Sequence, residues 1–389
     1  MQQGALPRLS ILSTYSSSEY MTLDPATRRN LELSRTIRTA GTQRSSTQGS
    51  LLAVLDQTST AMGGRLLRQW VNQPLLDRAR LEARLDLVEY LTQNSLLRAE
   101  VRKQLHDIPD LERLIGRLTQ DRAGPRDLLG IRRALEVIPP LHIAFEAAAN
   151  EAQGAAQTPP SALRPLLDEL DPCEKTRSLI AEAIADEAPA TLAGGDAIRP
   201  GFSEELDGLL IAVQDAKTWI ANLEQRERQL TGIKTLKVGF NKVFGYYIEV
   251  TKANTDAVPE GYVRKQTLVN AERYITPELK EYETMILNAE ERKAEIESRL
   301  FREICQRLAA TAGPVLTSAR ALARLDVFFA LAEVAVNHRY VRPKLTDGGE
   351  LYVKAGRHPV VELTMRQEPF TPNDVSLSDD ERLLIITGP

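Results

Sequence analysis

Residues 203–230, SEELDGLLIAVQDAKTWIANLEQRERQL, decide the fold of this chain. Apolar residues recur there at alternating intervals of three and four, the spacing of a helix that packs along one face. They are Leu206, Leu209, Val213, Ala216, Ile220, Leu223 and Leu230. Only Glu227 breaks the pattern, and the remaining positions are largely charged or polar. The stretch therefore predicts one helix, roughly 42 Å long at 1.5 Å per residue.

The same spacing returns in residues 277–308, which predict a second long helix with charged residues outside. Its apolar positions are Leu279, Tyr282, Ile286, Ala289, Ile296, Leu300 and Ile304. Residues 231–275, between the two segments, carry no helical pattern. The simplest arrangement is an antiparallel coiled-coil pair with a small module at its tip. Two independent helices packed on a larger core are the alternative.

The intervening module, residues 231–275, has the alternating pattern of β-strands. TLKVGF places Leu236, Val238 and Phe240 on one side of a predicted strand, and YYIEVTK and YVRKQTL continue the pattern. The module holds seven lysine and arginine residues against four acidic ones, although the whole chain has a net charge of −4. A basic, aromatic-rich tip suits contact with a polyanion. A solvated β cap whose aromatic residues pack its own core is the alternative.

The rest of the chain predicts helices and no catalytic centre. Helical spacing extends from about residue 50 to 145, with Pro74 ending one helix and Asp77 capping the next. Residues 147–163 read as a loop and residues 191–202 as a hairpin or turn. The four histidines are dispersed and the two cysteines lie far apart, so neither a metal site nor a disulfide framework is expected. With no candidate signal peptide or membrane span, we expect a cytoplasmic protein.

The chain closes with LLIITGP, residues 383–389. Four apolar residues running into Gly388 read as a buried strand at the start of a phosphate-binding loop. An ordinary core strand that ends at a glycine gives the same pattern. The residues alone leave both interpretations open.

Seven stretches together resemble the bacterial MutS family of mismatch-recognition proteins. They are LDPATRRNLEL (23–33), GSLLAVLDQTSTAMGGRLLRQWVNQPLLD (49–77), TLKVGFNKVFGYYIEV (235–250), QTLVNAERYITPELKEYE (266–283), GRHPVVE (356–362), FTPNDV (370–375) and LLIITGP. The resemblance implies a mainly α fold with a small β module. A helical core would carry long antiparallel lever helices with a β-rich clamp, and the chain would close with the beginning of an α/β P-loop ATPase domain.

The resemblance also implies domain boundaries. Residues 1–20 would lead in from a connector domain, and 21–200 with 309–340 would form the helical core. Residues 201–230 and 276–308 would be the levers, and 231–275 the clamp. Residues 341–389 would be a truncated N-terminal part of the ATPase domain.

By resemblance, the clamp grips duplex DNA through its backbone. The side chains predicted to contact phosphates are Lys237, Asn241, Lys242, Arg264, Lys265, Gln266, Asn270 and Arg273. Arginine and lysine contacts of this kind position a protein on DNA without reading sequence. Pairing inside the module, such as Arg273 with a neighbouring Glu272 or Lys252 with Asp256, is the competing use of these charges.

By the same resemblance, a nucleotide site is expected near the end of the chain. Phe370 would stack on adenine, Thr371 and Asn373 would line the base, and Gly388 and Pro389 would open the phosphate loop. A stiff loop whose Phe370 fills the core is the alternative. The family's lysine, serine and Mg²⁺-binding acid would lie beyond Pro389, so we expect neither ATP hydrolysis nor tight binding of ATP and Mg²⁺ by this chain.

The resemblance further implies partners. Family members bind mismatched duplex DNA, act as homodimers and work with a MutL-type repair protein in the bacterial cytoplasm, near the nucleoid. The mismatch-reading domain is expected to be missing here, so no mismatch discrimination is expected of these residues. The alternatives are a coiled-coil scaffold whose tip docks a protein partner, or a MutS paralogue acting on recombination junctions.

Overall fold

The computed structural model describes residues 19–37, 47–152, 158–241, 245–364 and 370–385. The chain divides into two compact units, which are described separately. The first unit comprises residues up to 123, residues 130–177 and residues from 308 onward, and the second comprises residues 124–129 and 178–307.

Helices dominate the described residues. The helices are α1 (Pro25–Asn30), α2 (Leu51–Leu55), α3 (Ala61–Asn72), α4 (Arg78–Gln93), α5 (Ser95–Leu105), α6 (Leu111–Thr119), α7 (Pro125–Glu136), α8 (Ile138–Ala152), α9 (Leu163–Asp168), α10 (Glu174–Ala183), α11 (Glu204–Thr231), α12 (Pro277–Ala309), α13 (Ala312–His338) and α14 (Pro359–Thr364). The strands are β1 (Lys237–Asn241), β2 (Gly245–Thr251), β3 (Val263–Thr267), β4 (Ala271–Ile275), β5 (Leu351–Gly356) and β6 (Asn373–Leu377). Short 3-10 helices cover Leu192–Gly194 and Lys252–Ala257.

Helix α13 is the centre of the first unit, because α3, α4, α5 and α6 all pack against it. Its buried Asp326 accepts hydrogen bonds from the backbone of Ser59 and Thr60, at 2.8 and 2.7 Å, and from the Thr60 hydroxyl at 2.7 Å. Thr60 in turn caps α3. These bonds tie the start of α3 to the central helix. The predicted cap of α4 is confirmed, since Asp77 accepts from the Arg80 amide at 3.0 Å.

Two local predictions for this unit need correction. Helix α8 continues to Ala152, so the first six residues of the predicted loop 147–163 are helical. They are rich in alanine, the best helix former, whereas residues 153–157 lie outside the described residues. Residues 383–385 are exposed and form no strand. A strand needs a pairing partner, and none of the described strands pairs with them.

In the second unit, α11 and α12 confirm the two predicted long helices. Ser203 caps the start of α11, and Gly232 ends it in the left-handed conformation, with φ of 71°. Arg226 near the end of α11 pairs with Glu278 at the start of α12, at 3.3 Å. Glu205 pairs with Arg299 at the opposite ends. The two helices are therefore an antiparallel pair rather than independent elements.

The module between the helices is a four-stranded antiparallel sheet in the order β1-β2-β4-β3. Its inner face buries Leu236, Ile248 and Val250 in one core with apolar residues of both helices. Trp219 and Tyr282, one from each helix, stack beside this core at 4.1 Å. Phe240, near the end of β1, is 53% exposed, and its ring lies 4.9 Å from that of Tyr246. The sheet is thus attached to the ends of both helices.

No helix in the described part of the chain combines the length and apolar composition that crossing a membrane requires.

Candidate nucleic-acid interface

The outer face of the sheet carries a row of polar side chains across all four strands. The register pairs Lys237 with Glu249, Glu249 with Arg273, and Arg273 with Gln266. Successive residues of a strand point to opposite faces. The row therefore lies opposite the face that buries Ile248 and Val250 against the helices.

Arg273 is the fixed centre of this row. Its Nε donates to Glu249 at 3.0 Å, and one terminal nitrogen donates to the Gln266 side-chain oxygen at 3.0 Å. The guanidinium also lies 4.0 Å from the centre of the Tyr247 ring, close enough for a cation–π interaction. Two hydrogen bonds and the ring contact hold the guanidinium in place, so Arg273 stiffens the face.

Gly239 provides room for the Tyr247 ring. A Cβ at residue 239 would fall 2.8 Å from the ring's Cζ and hydroxyl oxygen, which is closer than van der Waals contact allows. Tyr247 is thus held between Gly239 and the Arg273 guanidinium. A glycine inside a strand often marks such a close approach.

The lysines of the outer face are positioned differently from Arg273. Lys237 and Lys265 are both exposed. The ion pairs within the described sheet use Arg264 and Arg273 and leave these two lysines unpaired. The ladder between β3 and β4 is interrupted between Arg264 and Gln266, so Lys265 is the extra residue of a bulge. Bulges re-aim side chains, and Lys265 is thereby displayed at the edge of the sheet.

Arg264 belongs to a second cluster on β3 and β4, on the face opposite the row. It pairs with Glu272 at 3.4 Å, and the Tyr274 hydroxyl donates to the same carboxylate at 2.6 Å. The Tyr274 hydrogen bond, with the Arg264 charge, lowers the pKa of Glu272, while burial and that carboxylate raise the pKa of Tyr274 to about 12. Arg264 remains 63% exposed, so it retains surface for a second anion.

The break in the heptad pattern of α11 also has a structural role. Glu227 is buried and accepts a hydrogen bond from the Tyr262 hydroxyl of the module. Burial, together with this carboxylate, raises the pKa of Tyr262. The charged residue at an apolar heptad position thus anchors the sheet to α11.

A family profile described as MutS domain III matches residues 26–332, well over half of the chain. The chain belongs to the MutS family.

Three curated relatives show how much of a MutS protein the chain represents. Each is a DNA mismatch repair protein MutS and aligns with the whole of this chain. The relative from Pelotomaculum thermopropionicum is 47% identical over 389 residues, that from Salinibacter ruber 46% over 390, and that from Solibacter usitatus 48% over 391. The alignments cover 44%, 41% and 44% of these relatives. The chain thus spans less than half the length of these MutS proteins.

The structure brings together only part of the predicted DNA-binding set of this MutS chain. Lys237, Gln266 and Arg273 share the outer row, and Lys265 lies beside it. Arg264 lies in the Glu272 cluster, Asn270 in the turn before β4, and Asn241 at the end of β1. Lys242 lies outside the described residues. Whether any of them contacts DNA stays a prediction.

The ion pairs that were predicted within the module, as an alternative to phosphate contacts, have other partners in the structure. Arg273 pairs with Glu249 across the strands, because its sequence neighbour Glu272 points to the other face. Lys252 lies near Glu272, whose pKa it helps to lower. Sequence reasoning also missed Tyr247, although Gly239 within an alternating strand was a usable signal. Exposed Lys234 and Lys252 were likewise left out of the predicted set.

The predicted nucleotide segment of MutS is only partly described. Phe370 is partly buried just before β6, and the Asn373 side chain donates to the Thr371 carbonyl at 3.1 Å. Strand β6 pairs antiparallel with β5, which brings Asn373 opposite Gly356. Gly388 and Pro389 lie outside the described residues.

Proposed function

We propose that this chain is the DNA-gripping part of a mismatch-repair protein and that its sheet binds duplex DNA through phosphates. The observation that carries the proposal is that Lys237 and Lys265 form no ion pair with any described residue, whereas the neighbouring Arg273 is internally bonded. Unpaired lysines on a stiff face can neutralise phosphates without losing an existing partner. The names of the relatives support mismatch repair over action on recombination junctions.

The roles of the other segments are part of the same proposal. Residues 21–200 and 309–340 form the helical core, while 201–230 and 276–308 are levers that carry the clamp, residues 231–275. Residues 1–20 connect to a preceding domain, and 341–389 begin the ATPase domain. Heptad pairing of α11 with α12 supports the lever assignment, since a paired rod transmits displacement along its length.

In the longer protein, we propose that ATP with Mg²⁺ controls DNA binding and that two copies close around the duplex. Phe370, Thr371 and Asn373 would hold the base, and the loop from Gly388 and Pro389 onward would hold the phosphates. Bound Mg²⁺ would neutralise charge on the triphosphate. A MutL-type protein would be the downstream partner, in the bacterial cytoplasm near the nucleoid. This chain alone is proposed to have no ATPase activity.

The test is removal of the two unpaired lysines. The double variant Lys237→Ala/Lys265→Ala should weaken duplex binding by the same factor for matched and mismatched DNA, because backbone contacts read no sequence. The matched control Lys103→Ala/Lys175→Ala removes two exposed lysines from the first unit and should bind as the unmodified chain does. Fluorescence anisotropy with labelled duplexes provides the measurement.

Unchanged binding in the double variant would contradict the proposal, as would a loss confined to mismatched duplex. Capture of one protein partner, tight and insensitive to salt, would favour the scaffold alternative instead.

A further inference from the structure

The outer edge of β1 is bonded to helix α11 rather than to another strand. The backbone N–H of Val238 donates to Glu224 Oε2 at 3.0 Å, and Arg228 Nε donates to the Leu236 carbonyl at 2.7 Å. Arg228 also pairs with Glu224 at 2.6 Å. An edge strand presents unpaired N–H and C=O groups. Glu224 and Arg228 supply the acceptor and the donor that a fifth strand would provide.

These two bonds lie on either side of one residue of the proposed DNA contact. Leu236 and Val238 directly precede and follow Lys237 in the chain. The bonds fix the backbone on both sides of this lysine relative to α11. The side chain of Lys237 then starts from a defined position on the outer face, opposite Glu249.

We propose that Glu224 and Arg228 are positioning residues for DNA binding, acting through Lys237. This inference rests on the proposed function of the sheet and deepens it. Preorganisation of this kind raises affinity because less conformational freedom is lost on binding. Neither residue needs to contact DNA.

The other helix holds the opposite end of the same hairpin. Gly245, the first residue of β2, has φ of 77°, and a Cβ there would lie 2.1 Å from Glu283 Oε1. The Glu283 carboxylate is buried and accepts from Lys280 Nζ at 3.2 Å. Strand β1 is therefore bonded to α11 along its edge, and Gly245 at the start of β2 abuts α12.

The direction in which DNA affinity changes when Glu224 is removed distinguishes a positioning role from a purely electrostatic one. Glu224 is an acidic residue of α11 that lies beside the module that we propose binds a polyanion. If it were only a surface charge, removing it would strengthen DNA binding, because a like charge would be lost. The positioning role predicts that removing it weakens binding.

The test compares two substitutions that remove the same charge. Glu224→Ala should raise Kd for duplex DNA about tenfold. The control Glu260→Ala removes an exposed carboxylate of the module itself and should leave Kd unchanged or lower it. The dependence of binding on salt should keep its slope in Glu224→Ala, whereas Lys237→Ala should reduce the slope by about one. Glu224→Gln, which keeps an acceptor for Val238, should restore part of the affinity.

Hydrogen exchange identifies the cause of any loss. The Val238 amide should exchange faster in Glu224→Ala, while amides of β4 keep their protection. If the substitution unfolds the whole sheet, Arg228→Lys provides the second test, because lysine keeps the charge but lacks Nε. It should also weaken duplex binding.

If Glu224→Ala and Arg228→Lys both bind duplex as tightly as the unmodified chain does, this inference is wrong. The proposed function of the sheet would be unaffected by that result. Absence of salt-dependent duplex binding by the unmodified chain would overturn the proposed function and this inference together.

Discussion

The Arg273 guanidinium lies 4.0 Å from the centre of the Tyr247 ring while its Nε is bonded to Glu249 at 3.0 Å. One arginine thus joins two residues of β2 from its place on β4. The planar guanidinium can stack on a ring and donate in its own plane at once, which a lysine ammonium cannot do. Arg273 therefore acts as a structural link within the sheet.

Arg273→Lys should lower the free energy of unfolding by about 1–3 kcal/mol, because the stacking and the directed bonds are lost although the charge remains. Urea unfolding followed by tyrosine fluorescence measures the change. Lys237→Ala is the control and should change stability by less than about 0.5 kcal/mol, since Lys237 is exposed and unpaired. If Arg273→Lys were as stable as the unmodified chain, the positive charge alone would account for the contribution of Arg273 to stability.

Gly239→Ala should destabilise the sheet by about 1–3 kcal/mol, because the new Cβ would displace Tyr247 from beneath Arg273. Thermal unfolding provides the measurement. The control is Gly261→Ala in the same module, where a Cβ meets no atom within 4 Å. It should change stability by no more than about 0.5 kcal/mol. Similar effects of the two substitutions would contradict the close approach at Gly239.

Tyr274→Phe should raise the pKa of Glu272 toward its ordinary value of 4.5, because it removes the hydrogen bond that lowers the pKa most. A carboxyl whose pKa is lowered by folding stabilises the fold above its unfolded pKa and loses that contribution as pH falls through the folded pKa. The difference in stability between the two proteins should therefore be present at neutral pH and shrink below about pH 4. NMR titration of the Glu272 side chain measures the shift, and an unchanged pKa would exclude Tyr274 as its main cause.

Local patterns predicted the helices well, and for physical reasons. The heptad spacing of 203–230 and 277–308 requires only that apolar residues share one face of a helix, and the structure forms α11 and α12 there. The capping residues Asp77 and Ser203 act within three residues of themselves. Such signals need no knowledge of the rest of the fold.

The site depends on contacts between residues distant in sequence. Pairing of Arg273 with Glu249 follows from strand register, and the display of Lys265 follows from a bulge. Glu227 marked an irregularity in the heptads, but its partner Tyr262 lies 35 residues away. A one-residue change in register would have exchanged the two faces of each strand. The sequence alone therefore could not say which basic residues are free.

The central claim is that the free lysines of the outer face grip the DNA backbone. Its most direct test is the salt dependence of duplex binding by the unmodified chain, measured with matched and mismatched DNA. If Lys237 and Lys265 each neutralise about one phosphate, the logarithm of the binding constant should fall against the logarithm of salt concentration with a slope of about −2, equal for both duplexes. A slope near zero, or clearly different slopes for the two duplexes, would contradict the account.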